Sequence, residues 1–252
     1  MMKPAVNHQY AELLCKSNYS FLRGASHPHE LFTQAHGLGI EALALTDLGG
    51  VYGIPKAYLT LKDLGEIKKP KLICGAQVPI AGSGSLVLLA QNRSAYGLMC
   101  RLLTEAHRDQ PKSNPLLSLE RLTEFMSEPS ARGLFAIPYG GDETADLIPY
   151  ARYRDLFASQ MALPLFRFLD GLDQKRTERV LELRSRYEIP IIASNDVHFH
   201  DPARGKLQDV LTSIREGVPC QSAGFKLHMN AERYLKSPLQ MARLFSDMPE
   251  AL

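Results

Sequence analysis

Much of what marks a specialised protein is missing from this chain. It has four cysteines in 252 residues, Cys15, Cys74, Cys100 and Cys220, far apart and without a CxxC pair. That excludes a disulfide framework and a zinc ribbon, and it fits a reducing cytoplasm. Tryptophan is absent, and nothing follows from that. No run approaches the roughly 18 apolar residues of a membrane span, so no membrane partner is expected. The stretch from Met1 to Tyr10 lacks an apolar core and is no signal peptide. There is no Walker motif, GxSxG elbow or HExxH helix, which removes the commonest phosphate, acyl-transfer and zinc-protease signatures. Neither sign of charge dominates: the net charge is +2 at pH 7, and no strongly charged partner is implied. What remains is ordinary globular composition, 45% hydrophobic and 22% charged, in a chain long enough for one large core.

Short apolar strands alternate with helical patterns. Strands are expected at residues 12–15, 40–45, 71–74, 77–80, 86–90, 133–137, 161–168 and 189–193. Helices are expected at 28–36, 52–64, 94–107, 119–126, 146–157, 175–187 and 204–215, with Ser26 near the cap of the first, Gly37 closing it, and Pro55 in the first turn of the second. Leu98, Met99, Leu102, Leu103 and Ala106 mark one apolar face of the third helix. The alternation predicts a parallel-rich α/β fold, barrel or open sheet, and about seven short strands favour closure. Residues 1–216 read as this body. Residues 217–252 read as a loop-rich extension with a terminal helix at 238–245, buried through Phe225, Leu227, Met229 and Leu235.

The most informative stretch joins an apolar run, Ile189 to Ala193, to Ser194, Asn195, Asp196, Val197, His198, Phe199 and His200. Polar residues at the C-terminal end of a buried strand stand where α/β folds place chemistry. Asp196, His198 and His200 are spaced by two, so an extended backbone points them the same way. A carboxylate and two imidazoles form a metal-ligand grouping. A polar strand end, with Asn195 and Asp196 bonding the next turn, explains the same residues. Other strand ends carry weaker signals. The loop from Ser17 to Pro28 either offers backbone N–H groups to a phosphate or is simply capped. Thr46 to Gly53 either allows close ligand approach or is a tight turn. Gln77 and the Pro138 to Asp142 stretch mean little alone, and His27, His29, His36 and His107 read as surface or capping residues.

Taken together, Tyr10-Ala11-Glu12-Leu13, the run from Ser17 through Arg23-Gly24-Ala25-Ser26-His27-Pro28, Leu43-Ala44-Leu45-Thr46-Asp47 and Asn195-Asp196-Val197-His198 resemble the polymerase and histidinol phosphatase (PHP) domain. The form most similar stands at the N-terminus of bacterial C-family DNA polymerases, and the Ser17–Pro28 run, His200 to Leu211, and Ala231 to Lys236 resemble the error-prone subgroup. The resemblance covers residues 10 to 252. It implies a distorted (β/α)7 barrel, metal ions at the strand C-termini in active members, and phosphoester hydrolysis, as a proofreading exonuclease in some polymerases. It also implies that the chain, ending at Glu250-Ala251-Leu252, is an excised domain or split gene product lacking a nucleotidyl-transfer site.

The departures from the family pattern change the expectation. Leu14 and Lys16 stand where the first motif has His-x-His, and Arg23 at a further ligand position. Leu48 follows Asp47 in place of His, Gln77 replaces Glu, and Ser85 or a neighbour replaces a His. Only Asp196 and His198 remain as ligand types. Leucine has no lone pair and glutamine no charge, while two cations about 4 Å apart repel by about 4 kcal/mol at an effective dielectric of about 20. The leading expectation is a metal-free scaffold docking on a polymerase core, in cis or in trans, with DNA an indirect partner. In it, Lys16 and Arg23 fill the pocket by pairing with Asp47 or Asp196. One rival is a zinc- or manganese-dependent phosphoesterase or 3′–5′ exonuclease with a reduced ligand set. Another is a phosphate- or nucleic-acid-binding module that uses Lys16 and Arg23.

Overall fold

The computed structural model describes residues 10–65, 68–111, 114–140 and 145–252. Gly141 and Asp142, singled out above with Pro138, lie outside the described residues, as do the first nine. The order of elements is β1 (Ala11–Glu12), α1 (Pro28–Leu38), β2 (Ala42–Leu45), α2 (Ile54–Asp63), β3 (Lys71–Pro79), β4 (Ser85–Ala90), α3 (Arg93–His107), α4 (Leu119–Met126), β5 (Leu134–Tyr139), α5 (Tyr150–Phe157), β6 (Leu163–Leu165), α6 (Asp173–Tyr187), β7 (Ile191–Ala193), α7 (Gly205–Glu216) and α8 (Pro238–Leu244). Among the described residues, no helix is long and apolar enough to cross a membrane.

The seven strands form a distorted barrel. β1 to β5 make one sheet in sequence order, and β6 pairs β7. Backbone bonds bridge both gaps. The Ala136 N–H donates to Gln160 at 2.9 Å, and the Val197 N–H donates to Leu14 at 2.8 Å. Isolated bridges at Ala136–Met161 and Cys15–Val197 complete the ring. Leu14, Ala44, Val87, Leu89 and Ile137, drawn from opposite parts of the ring, pack together as a small apolar interior. The larger core lies under the helices, where α3 buries Leu98, Met99, Leu102, Leu103 and Ala106.

The centre of the sheet differs from the parallel-rich expectation. β3 pairs β4, and β4 pairs β5, antiparallel. The cause is local. Gly82 and Gly84 adopt φ of +65° and +70°, and the Ile80 N–H donates back to Gly84 at 2.9 Å, closing a hairpin where a crossover helix would otherwise stand. β3 also runs unbroken through Gly75 rather than as two short strands. Pro149 splits the helix expected at 146–157, so only Tyr150–Phe157 is α-helical. α1 is capped by His27 with Glu30 and ends at Gly39, φ +72°, rather than at Ser26 and Gly37.

The C-terminal extension is woven into the body. The His198 N–H donates to Arg233 at 2.9 Å and the Leu235 N–H to Phe199 at 3.2 Å. Leu235, Met241, Phe245 and Met248 are buried. The burial expected of Phe225 and Met229 does not occur: they are 103% and 71% exposed, because Ala223 is the residue this segment turns inward.

Candidate functional site at the strand ends

The backbone after β7 decides the geometry. Asp196 has φ of +43°, in the left-handed region. The segment is therefore not extended, and the expected alignment of three side chains fails. Asp196 and His198 stay neighbours, Nε2 to Oδ2 3.4 Å apart. His200 turns away, its Nδ1 sharing a 2.7 Å hydrogen bond with the Ser26 hydroxyl. Asn195 faces the extension: its Nδ2 donates to the carbonyls of Glu232 at 2.8 Å and Tyr234 at 2.5 Å, and Lys236 Nζ donates to its Oδ1 at 3.1 Å.

That anchoring brings Arg233 to the site. Asp196, 1% exposed, is surrounded by donors. Lys16 Nζ is 2.7 Å from its Oδ1, and the Tyr139 hydroxyl donates to its Oδ2 at 2.8 Å. Arg233 pairs with the same Oδ2 while its guanidinium lies over the Phe168 ring, 3.7 Å from the centroid. Lys16 also donates to the Tyr139 hydroxyl at 3.2 Å. Burial works against the Asp196 charge, but Lys16 and then Arg233 overcome it and hold the carboxyl well below its ordinary range. Burial likewise opposes the Lys16 charge, and Asp196 outweighs it, so that pKa is raised. His198 has its pKa lowered by burial to about 4 and is neutral at pH 7. Its edge meets the ring of His228 from the extension, with centroids 5.1 Å apart.

The pairing expected of Lys16 is thus present at Asp196, and the one expected of Arg23 is not. Arg23 is exposed, and no ion pair or hydrogen bond of its side chain occurs among the described residues. Asp47 is instead satisfied by the Ser17 N–H at 2.7 Å, the Ser17 hydroxyl at 2.8 Å and the Ser20 hydroxyl at 2.6 Å. Without a cation in contact, burial leaves its pKa raised. The loop folds back so that Ser20 reaches Asp47, which carries Arg23 outward. Tyr139 and Arg233 were missed by sequence reasoning. Tyr139 closes a strand whose expected end was Ile137, and an arginine 37 residues beyond Asp196 gives no local signal.

A further buried carboxylate clasps the ends of the ring. Glu12 accepts from Tyr10 at 2.8 Å, from the Leu14 N–H at 2.9 Å, from the Ser194 hydroxyl at 2.5 Å and from the Asn195 N–H at 2.9 Å. All its neighbours are donors, so it is structurally satisfied rather than free to ligate.

The donor set fits a metal cluster poorly. Among the described residues, no group of three His, Cys, Asp or Glu side chains converges as a metal site. Leu14 packs in the apolar interior. Gln77 donates to Ser85 at 3.1 Å, and its side-chain oxygen is buried without a hydrogen-bond partner among the described residues. A divalent ion beside Asp196 would meet the Lys16 ammonium and the Arg233 guanidinium, already in contact with that carboxylate.

The family model described as the PHP domain matches residues 12–158, more than half of the chain. An error-prone DNA polymerase of Anaeromyxobacter sp. (strain K) is 42% identical over 97% of this chain and 22% of its own length. Another, from Bradyrhizobium diazoefficiens, is 36% identical over 96% of this chain and 22% of its own. The chain thus spans about a fifth of the length of these curated relatives. Among solved structures, the lesion-specific endonuclease PfuEndoQ from Pyrococcus furiosus aligns with TM-score 0.47 and 16% identity, over 75% of this chain and 48% of that one. With the family model matched over residues 12–158, the chain belongs to the PHP domain family.

Proposed function

We propose that this is the PHP domain of an error-prone DNA polymerase, that it works without metal, and that its role is to dock on the polymerase core as a scaffold, in cis or in trans, within the cytoplasm. The observation that carries this reading is the seating of Lys16 and Arg233 on Asp196. Two fixed cations supply the positive charge a metal ion would bring, and Tyr139 completes the shell of the carboxylate. A buried acid is stable only when so compensated. The compensation engages both oxygens of Asp196, while both ring nitrogens of His198 have no hydrogen-bond partner among the described residues. His198 remains as an imidazole, but one ring beside two cations is a weak metal donor set.

Docking has its own support. α7 turns Gln208, Thr212 and Ser213 inward and leaves Leu207, Val210 and Ile214 exposed along one stripe, the reverse of an isolated surface helix. The relatives that match are about five times longer than the chain, and this face suits an apolar surface of the remaining polymerase. Metal analysis of the protein, loaded with zinc or manganese and then desalted, tests the reading. Well under one equivalent is expected. Stoichiometric metal, with a phosphatase activity abolished by Asp196→Ala and by His198→Ala, would overturn it.

A further inference from the structure

Beside the barrel mouth lies a half-open cavity of about 1360 Å³ between the Ser17–Pro28 loop, the loop after β2, α3 and the end of α7. Of the five large aromatic side chains most exposed in the protein, three line it: Tyr19, Phe21 and Tyr52. Phe21 is 79% exposed and Tyr52 66%. Arg23 and Arg215 line the same space, and no aspartate or glutamate does. Two of the lining arginines are paired with acids outside the lining, Arg215 with Glu216 at 3.1 Å and Arg108 with Glu105 at 3.1 Å. Arg23 keeps a free guanidinium, whose pKa is lowered by partial burial and then by the like charge of Arg215.

The loop that presents these groups is rigidly built. The Arg23 N–H donates to Ser20 at 2.8 Å, and the Ser20 hydroxyl is bound to Asp47. Leu22 has φ of +59°, and its carbonyl accepts from Arg215 at 3.1 Å. A Cβ on Gly24 would stand 2.2 Å from the Ser17 carbonyl oxygen, so the turn accepts only glycine there. An exposed phenylalanine on a fixed, strained turn is hard to explain as chance surface, and the groove it lines combines apolar side chains with the guanidinium groups of Arg23 and Arg215.

We infer that this groove binds single-stranded nucleic acid, its bases stacking on Phe21 and Tyr52 and its phosphates meeting Arg23 and Arg215. Exposed π-faces beside guanidinium groups, in a lining free of carboxylates, are what a sequence-tolerant single-strand site requires. A partner of apolar surface on the α7 stripe reaches the groove only at Ile214; one seated across the groove itself would leave Arg23 buried and unpaired, which disfavours it. The inference does not depend on the metal question, because none of these residues touches Asp196.

Fluorescence anisotropy with a labelled 12-mer of thymidylate, at low salt and in EDTA, tests it on the whole chain. Saturable binding is expected, with an unlabelled duplex of the same length competing poorly. Phe21→Ala should weaken binding on the order of tenfold. Arg23→Ala should weaken it and lower the slope of log affinity against log salt by about 0.7. Both side chains are exposed, so melting temperatures should hold and a folding defect would be visible as such. No saturable binding, or binding unchanged in both variants, overturns the proposal, as does a duplex that competes equally well.

Discussion

Asp47 and Asp196 end two strands of one barrel, both nearly fully buried, in opposite surroundings. Asp196 touches an ammonium, a guanidinium and a phenol. Asp47 touches two hydroxyls and an amide. Burial opposes the charge of both, yet one carboxyl is held well below its usual range and the other above it. Burial alone therefore does not set the protonation behaviour of a strand-end acid; the charge of its donors does. The two acids have different structural tasks. Asp196 fixes the extension to the body through Arg233, and Asp47 shapes the loop that carries Phe21 and Arg23.

The comparison breaks first at Asp196. Asp196→Ala leaves Lys16 buried against another cation with no counter-charge, and should cost about 3–5 kcal/mol by chemical denaturation. The triple replacement Lys16→Met, Asp196→Leu and Arg233→Met should recover most of that loss, since no charge is then stranded. A triple variant as unstable as the single one would show that packing, not charge, dominates there.

Asp47 should respond less and with the opposite pH dependence. Asp47→Asn keeps an acceptor oxygen but turns an amide toward donors, a cost of about 1–2 kcal/mol near neutral pH. The raised pKa means that the contribution of the acid is fully present below about 3.8 and is lost as pH rises through the folded value. The advantage of the native protein over Asp47→Asn should thus shrink as pH rises from about 4. For Asp196 the pKa is lowered, so its contribution is present above 3.8 and lost as pH falls through the folded value. Its advantage over Asp196→Ala should shrink on acidification. Parallel pH profiles for the two variants would undo the distinction drawn between the acids. Tyr139→Phe removes one neutral donor from a carboxylate that keeps both cations, and should cost about 1 kcal/mol, the smallest of these effects.

Much of this was legible in the sequence, and the rest was not for identifiable reasons. α4 lies at Leu119–Met126 as its periodicity predicts, and α3 begins one residue early at Arg93, after Asn92, whose side chain accepts from Ala95 as an N-cap. The antiparallel turn was signalled by Gly82-Ser83-Gly84, a hairpin sequence that the regular alternation of strands and helices outweighed. The pairing of Lys16 followed from the resemblance, which set a lysine at a ligand position and left Asp47 or Asp196 as its partner; a buried acid beside a buried lysine then selects Asp196. Arg23 was misassigned because its loop conformation rests on hydroxyl bonds to Asp47 that no local pattern encodes. Arg233 was invisible because its position depends on Asn195 capturing two carbonyls of the extension, a contact made across the fold.

The Glu12 clasp has a consequence in time rather than energy. Its partners Ser194 and Asn195 lie 182 and 183 residues along the chain, and Asp196 lies 180 residues from Lys16. A nascent chain holds Glu12 and Lys16 from its first moments, yet neither finds its partner until nearly the whole domain has been made. Arg233 arrives later still. Contacts of such separation form late and slowly. Until then the chain carries an uncovered acid and an uncovered amine on an open sheet edge, so the barrel cannot close before residues 194–196 have been made.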